Sequence, residues 1–135
     1  MRSHHFFGAA ASLVLAAILI AGCSKDNKSL SPFQPEISNV QDNFQFQATG
    51  VTNVSTTVEY AWLNTGTSAN INQACSIISG SALLSILDAN GTEVYTRSLA
   101  DNGTFPSIQG VTGMWTIRVD LYNIHGNLNF RVQKP

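Results

Sequence analysis

The stretch Trp115-Thr116-Ile117-Arg118-Val119-Asp120-Leu121 decides the fold class of this chain of 135 residues. Apolar and polar side chains alternate along it, and a period of two is typical of a β-strand that buries one face. The same alternation recurs in residues 44–48, 58–62 and 128–132. After Cys23 the sequence has no leucine-rich stretch with helical spacing of three and four residues. These patterns predict an all-β fold with antiparallel strands.

Short turn signals separate the predicted strands. They are Asn64-Thr65-Gly66-Thr67, Asp88-Ala89-Asn90-Gly91, Gly110-Val111-Thr112-Gly113 and Asn123-Ile124-His125-Gly126, the last of which is predicted to join the final two strands. Closely spaced turns between short strands favour a single antiparallel β-sandwich or jelly roll of about seven or eight strands. Tyr60, Trp62 and Trp115 lie in phase with the apolar faces of their strands, so we expect them in the core.

The register of the hairpin at Asn90-Gly91 has two solutions. A two-residue turn would place Ile86 opposite Tyr95, and a three-residue loop with Gly91 in a left-handed conformation would place Ile86 opposite Val94. A slip of one residue turns every side chain of a strand to the other face. We favour the second register, which groups Leu84, Ile86 and Val94 on the buried face and leaves Leu83, Leu87, Tyr95 and Leu99 on the opposite one.

The first 23 residues have the composition of a targeting segment. A basic start at Arg2 precedes an uncharged apolar run over residues 6–22, which is the pattern of a secretory signal peptide. The run ends in Leu19-Ile20-Ala21-Gly22-Cys23, which resembles the lipobox of bacterial lipoproteins. That resemblance implies a diacylglycerol thioether on Cys23 and cleavage before it. The alternatives are an uncleaved membrane anchor and an ordinary signal peptide.

The lipobox resemblance implies that acyl chains on Cys23 attach the protein to a membrane. One acyl chain alone holds a protein only marginally, whereas two or three make the attachment effectively permanent. Ser24 after the cysteine favours the outer membrane over the inner one by the sorting tendency of that family. Residues 1–22 are then a helical signal peptide, residues 23–35 the lipidated Cys23 and a flexible tether, and residues 36–135 the β-sandwich domain. Two prolines and many polar residues between 24 and 35 predict the tether.

The C-terminal half resembles bacterial pre-peptidase-type C-terminal domains, which are small β-sandwich modules of secreted proteins. The matching motifs are Leu84-Ser85-Ile86-Leu87-Asp88-Ala89-Asn90-Gly91 and Gly113-Met114-Trp115-Thr116-Ile117-Arg118-Val119. The resemblance covers residues 80–133 at most, and it consists of strand and turn motifs. It implies a β-sandwich fold and implies no activity.

Composition and motifs exclude several classes of function. Charged residues make up 11% of the chain and its net charge is −1, so no basic field attracts nucleic acid. We expect no enzymatic activity and no cofactor, since neither a nucleophile motif nor a phosphate loop is present.

Cys75 lies among apolar neighbours, so we expect it buried. Asp88, Asn90 and Glu93 form a weak calcium candidate that a turn explains equally well.

Two kinds of binding fit the remaining sequence. The first is a non-enzymatic binding or scaffolding role at the bacterial cell envelope, with an envelope protein as partner. The second is a carbohydrate- or peptidoglycan-binding module, which fits the amides Asn70, Asn72, Gln73, Asn127 and Asn129. An envelope hydrolase is a third, weaker alternative. The candidate surface contacts are Leu83, Leu87, Tyr95, Leu99 and Tyr122. For the first four we expect a second layer of the same domain to cover them, and the alternative is contact with a partner or another copy.

Overall fold

The computed structural model describes residues 29–135, so the predicted signal peptide, the lipidation site at Cys23 and the first part of the tether lie outside it. Seven strands follow one short 3₁₀ turn, Ser31–Phe33. The strands are β1 (Glu36–Val40), β2 (Asn43–Asn64), β3 (Asn70–Gln73), β4 (Ser76–Leu87), β5 (Glu93–Ser98), β6 (Gly103–Pro106) and β7 (Gly113–Gln133). The predicted all-β fold is confirmed.

The long strands β2 and β7 pair antiparallel along most of their length and form the centre of a single sheet. On the other side of β7, β4 pairs with residues 116–127 and β3 with residues 130–133. The sheet is completed by β1 beside β2, β5 beside β4 and β6 beside β3, and every pair is antiparallel.

This one sheet is bent into two layers. The rings of Phe44 and Tyr60, both on β2, have centroids 5.4 Å apart, whereas a straight strand would separate them by roughly 50 Å. The two ends of β2 also meet, since the N–H of Asp42 donates to the carbonyl of Leu63 at 2.9 Å. The first layer contains β1, β3, β6, the start of β2 and the end of β7, and the second contains the remainder. The result is a sandwich-like domain.

The bend crosses three neighbouring strands at one level, which we call the fold line. Register shifts occur between Ala48 and Thr56 in β2, between Ile77 and Ser81 in β4, and opposite them in β7. Residues 123–126, predicted as a turn, lie inside β7 as part of this bend. The prediction was wrong because β2 and β4 pair with β7 on both sides of these residues and carry the strand through.

Two glycines allow the strands to approach each other at the fold line. A Cβ on Gly80 would lie 2.1 Å from the carbonyl oxygen of Asn123, and one on Gly126 would lie 2.2 Å from that of Ser76. Gly80 also has a positive φ of +82°, a backbone conformation that residues other than glycine rarely adopt. The bend therefore depends on glycine at these positions.

Aromatic side chains fill the space between the layers. Trp62 and Trp115 are fully buried and meet edge to face, with ring centroids 6.0 Å apart. Phe46 stacks on Phe130 at 5.2 Å. Both tryptophans were predicted in the core, and the structure confirms this, while Tyr60 is half-buried and packs against the core. Edge-to-face and offset stacked pairs are the favoured aromatic geometries.

The packed domain begins before the predicted boundary at residue 36. Leu30 is only 4% exposed and belongs to the core, and the partly buried Phe33 packs against the core. The tether prediction is therefore wrong for residues 30–33. The prediction followed the polar residues and prolines of this segment and overlooked Leu30 and Phe33. The 3₁₀ turn Ser31–Phe33 places both side chains against the core.

The favoured register of the β4–β5 hairpin is also wrong. Ile86 lies opposite Tyr95, and a bulge separates this pair from Leu87 and Glu93. The bulge turns both Val94 and Tyr95 inward, so both are buried. The sequence argument assumed uninterrupted alternation, which would have sent Tyr95 to the outer face.

Candidate functional site

The outer face of the first layer carries an unusual concentration of side-chain amides. Three rows of directly opposed residues cross it, and we call these thirteen residues the amide face: Glu36, Gln47 and Asn129; Ser38, Gln45, Arg131, Asn72 and Thr104; Val40, Asn43, Gln133, Asn70 and Pro106. Seven of them are Asn or Gln, and two are charged. The face is polar because the intervening residues of each strand, such as Phe44, Phe46 and Phe130, point into the core.

A pocket of about 450 Å³ opens where the amide face meets the fold line. Its walls come from β2, β7, the β3–β4 junction and the β5–β6 turn. The lining residues are Gln47, Thr49, Ala74, Cys75, Ser76, Asn102, Asn127, Leu128 and Asn129. None of these residues carries a charge at neutral pH, so the pocket favours a neutral, polar ligand over an ion.

Asn102, in the β5–β6 turn, is hydrogen-bonded to the junction between β3 and β4. Its Oδ1 accepts the N–H of Cys75 at 2.9 Å, and its Nδ2 donates to the carbonyl of the same residue at 3.0 Å. The Sγ of Cys75 accepts the N–H of Asn129 at 3.2 Å. Burial raises the pKa of the Cys75 thiol, so the thiol is neutral and a poor nucleophile. Its buried position confirms the sequence expectation and assigns it a structural role.

Several polar groups of the pocket remain available to a ligand. Gln47 and Asn129 lie directly opposite each other on β2 and β7. Within residues 29–135, neither of their side-chain amides takes part in a hydrogen bond. Asn127 uses its Oδ1 to accept the N–H of Gly50 at 2.7 Å, which leaves its Nδ2 as a donor. Each carboxamide combines donors with an acceptor, so neighbouring amides match ligands that do the same.

Asp88 of the weak calcium candidate stabilises its loop through hydrogen bonds to backbone N–H groups. Both carboxylate oxygens of Asp88 accept backbone N–H groups: Oδ1 from Asn90 and Thr92, each at 2.9 Å, and Oδ2 from Val111 at 2.8 Å. These bonds, with that to Thr92 the strongest influence, lower the pKa of Asp88. Among residues 29–135, no group of three or more His, Cys, Asp and Glu side chains is close enough to hold a metal ion.

The predicted surface contacts separate into two groups. Leu83 and Tyr122 are exposed, at 41% and 65%, and Leu87 is half-buried. Leu99 is fully buried and Tyr95 nearly so, so the domain itself covers these two residues and the alternative of partner contact is wrong for them. Tyr95 instead points inward because of the bulge, and its hydroxyl donates to Oε1 of Gln73 at 2.7 Å.

No protein-family model matches the sequence, and the comparison with curated proteins found no match. Within residues 29–135, no helix is long and apolar enough to cross a membrane.

Sequence reasoning found part of the amide face and missed the rest. Asn70, Asn72 and Asn129 were named from composition and lie on the amide face, and Asn127 lines the pocket. Gln73 was named with them but is buried in the core, where its Nε2 donates to the carbonyls of Ser98 and Asp101. Gln45, Gln47 and Asn102 were not identified. The first two had a usable signal, since they alternate with Phe44 and Phe46 and so must point outward.

Proposed function

We propose that this chain is a lipid-anchored protein of the bacterial cell envelope that binds a partner without catalysing a reaction. The amide face and its pocket are the binding site in this proposal. The observation that carries it is an uncharged pocket of about 450 Å³ in which the side-chain amides of Gln47 and Asn129 make no hydrogen bond within residues 29–135. Ligand sites are concave and contain a few well-placed polar groups, and this pocket has both properties.

The anchoring part of the proposal is supported by the lipobox resemblance at Leu19–Cys23. Only six residues, 24–29, separate Cys23 from Leu30, which is packed into the core. Extended, such a segment spans about 20 Å. A domain on so short a connection would work close to the membrane surface, with the outer membrane favoured by Ser24.

Anchoring is tested by the fate of Cys23. We expect mass spectrometry of the mature protein to find an N-terminal Cys23 with diacylglycerol and no residues 1–22. Cys23→Ala should release the protein from membranes or leave the precursor uncleaved. Cys75→Ala is the matched control, because the buried Cys75 should not affect attachment. A free thiol at an N-terminal Cys23 would refute the lipid anchor.

Binding through the amide face is tested by crosslinking in intact cells. A photoreactive amino acid at position 47 lies in the pocket, and one at Thr57 lies on the outer face of the second layer as a control. We expect a specific crosslinked product from position 47 and none from position 57. Equal labelling from both positions, or none from position 47, would contradict the assigned site.

A carbohydrate- or peptidoglycan-binding module is the second candidate function. The neutral charge and the amides of the pocket favour it, since hydroxyl groups pair well with groups that both donate and accept hydrogen bonds. The protein should then sediment with purified insoluble peptidoglycan, and Asn129→Ala should reduce the sedimented fraction. Failure of the intact protein to sediment would remove this candidate.

A further inference from the structure

The amide face contains a second depression beside the pocket. It has a volume of about 240 Å³ and is lined by Glu36, Ile37, Ser38, Gln45 and Gln47. The pocket and the second depression share Gln47, which lies between Glu36 on one neighbouring strand and Asn129 on the other. Both therefore lie on the same outer face, and Gln47 stands at their junction.

We infer that the pocket and the second depression form one continuous site that binds a linear, neutral oligosaccharide across the strands. This inference rests on the proposed binding role of the amide face and adds the class of ligand and its direction. The sugar chain lies along the row Glu36, Gln47 and Asn129, with Gln47 contacting the ligand at the junction.

The chemistry of the amide face distinguishes a sugar chain from other ligands. Vicinal hydroxyls both donate and accept hydrogen bonds, as the side chains of Gln45, Gln47 and Asn129 do. An anionic polymer would meet one carboxylate, Glu36, in the second depression and no cation in either depression. A protein partner would be expected to use aromatic or apolar anchors. Among the thirteen residues of the amide face only Val40 and Pro106 are apolar.

The dimensions of the site predict that affinity depends on ligand length. The row crosses from β1 over β2 and β7 to the β3–β4 junction, which is three strand spacings or about 14 Å. A disaccharide in the pocket would leave the second depression empty. A longer oligosaccharide would fill both and would gain the contacts of Ser38 and Gln45.

The test is titration calorimetry of the full mature chain, purified in a detergent that contains no sugar. The probes are N-acetylglucosamine and glucose oligomers from the disaccharide to the hexasaccharide. We expect the dissociation constant of one series to fall about tenfold between its shortest and longest members. Gln45→Ala should abolish this tenfold gain, whereas Gln47→Ala should weaken the binding of disaccharides and hexasaccharides alike. Asn90→Ala, an exposed amide outside the amide face, should change nothing.

Each other outcome overturns the inference in a recognisable way. Disaccharides and hexasaccharides binding equally well would refute the continuous site and leave the pocket as the whole binding site. Absence of saccharide binding together with a crosslinked protein at position 47 would refute the ligand class and keep the proposed binding role. Absence of both would refute the inference and the proposed function together. Because Gln45 and Gln47 make no side-chain hydrogen bonds within residues 29–135, unchanged melting temperatures serve as the folding control.

Discussion

Replacing Gly80 by alanine should test the bend on which the two-layered sheet depends. Gly80 has a φ of +82°, and a Cβ there would lie 2.1 Å from the carbonyl oxygen of Asn123 and 2.6 Å from that of Tyr122. Real side chains essentially never approach backbone atoms so closely. Alanine at this position therefore requires β4 and β7 to move apart at the fold line.

Gly91 is a matched control within the same chain. Its φ is +81°, almost identical to that of Gly80, but a Cβ there would meet no atom within 4 Å. Both alanine variants carry the strain of a left-handed residue, about 1–2 kcal/mol. Only Gly80→Ala adds the clash with β7, for which overpacking costs of about 1–3 kcal/mol are typical. The difference between the two variants thus isolates the close approach of the strands.

The assay is urea unfolding of residues 24–135, followed by the fluorescence of the buried Trp62 and Trp115. We expect Gly80→Ala to lower the free energy of unfolding by about 2–5 kcal/mol, a large part of the 5–15 kcal/mol typical of domains. Gly91→Ala should lower it by about 1–2 kcal/mol. If both variants lose the same stability, β4 and β7 do not cross closely at Gly80 and the described bend is wrong.

Three further predictions concern the core and the loops. Tyr95→Phe should lower the free energy of unfolding by about 1–3 kcal/mol, because it leaves the buried Oε1 of Gln73 without a partner. Burial raises the pKa of Tyr95 to about 12. Wild-type stability should therefore fall between about pH 10 and 12, because Tyr95 ionises in the unfolded chain while the buried hydroxyl keeps its proton, and the variant should lose less over this range. Leu30→Ala should cost about 2–5 kcal/mol in urea unfolding, since Leu30 is a core residue. Asp88→Asn should destabilise the loop, because it places an amide N–H of the side chain against the N–H of Val111. The pKa of Asp88 is lowered from 3.8. The carboxylate should therefore stabilise the wild-type fold above that pH and lose this effect in more acidic solution, which circular dichroism can follow.

Each of these predictions has a control or a refuting result. Tyr122→Phe removes an exposed hydroxyl and should leave stability unchanged. Leu63→Ala removes a leucine that is 37% exposed and should cost much less than Leu30→Ala. Equal losses of unfolding free energy in Leu30→Ala and Leu63→Ala would show that Leu30 belongs to the flexible tether and not to the core. An Asp88→Asn variant that unfolds in acid as the wild type does would show that the Asp88 carboxylate does not hold the loop.

The alternation of the sequence was sufficient to predict the fold class and much of the core. Residues that alternate in 44–48, 115–121 and 128–132 lie on the faces expected of them, and both tryptophans are buried. The reason is local, because a strand presents successive side chains to opposite faces whatever its partner. The same rule carries a signal for part of the site that was not used, since Gln45 and Gln47 alternate with the buried Phe44 and Phe46.

Only the tertiary structure decided where strands continue, bend and pair. Residues 123–126 carry turn signals but remain in a strand, because neighbours on both sides hydrogen-bond through the bend. Tyr95 turned inward because of a bulge, and Gln73 became a core residue because backbone carbonyls and the Tyr95 hydroxyl satisfy its amide. A local sequence pattern predicts which face of its own strand a side chain lies on, but it does not predict which strand pairs with that strand. The assembly of amides from β2, β7 and β3 into one face, with Asn102 lining the pocket beside it, depends on those long-range pairings.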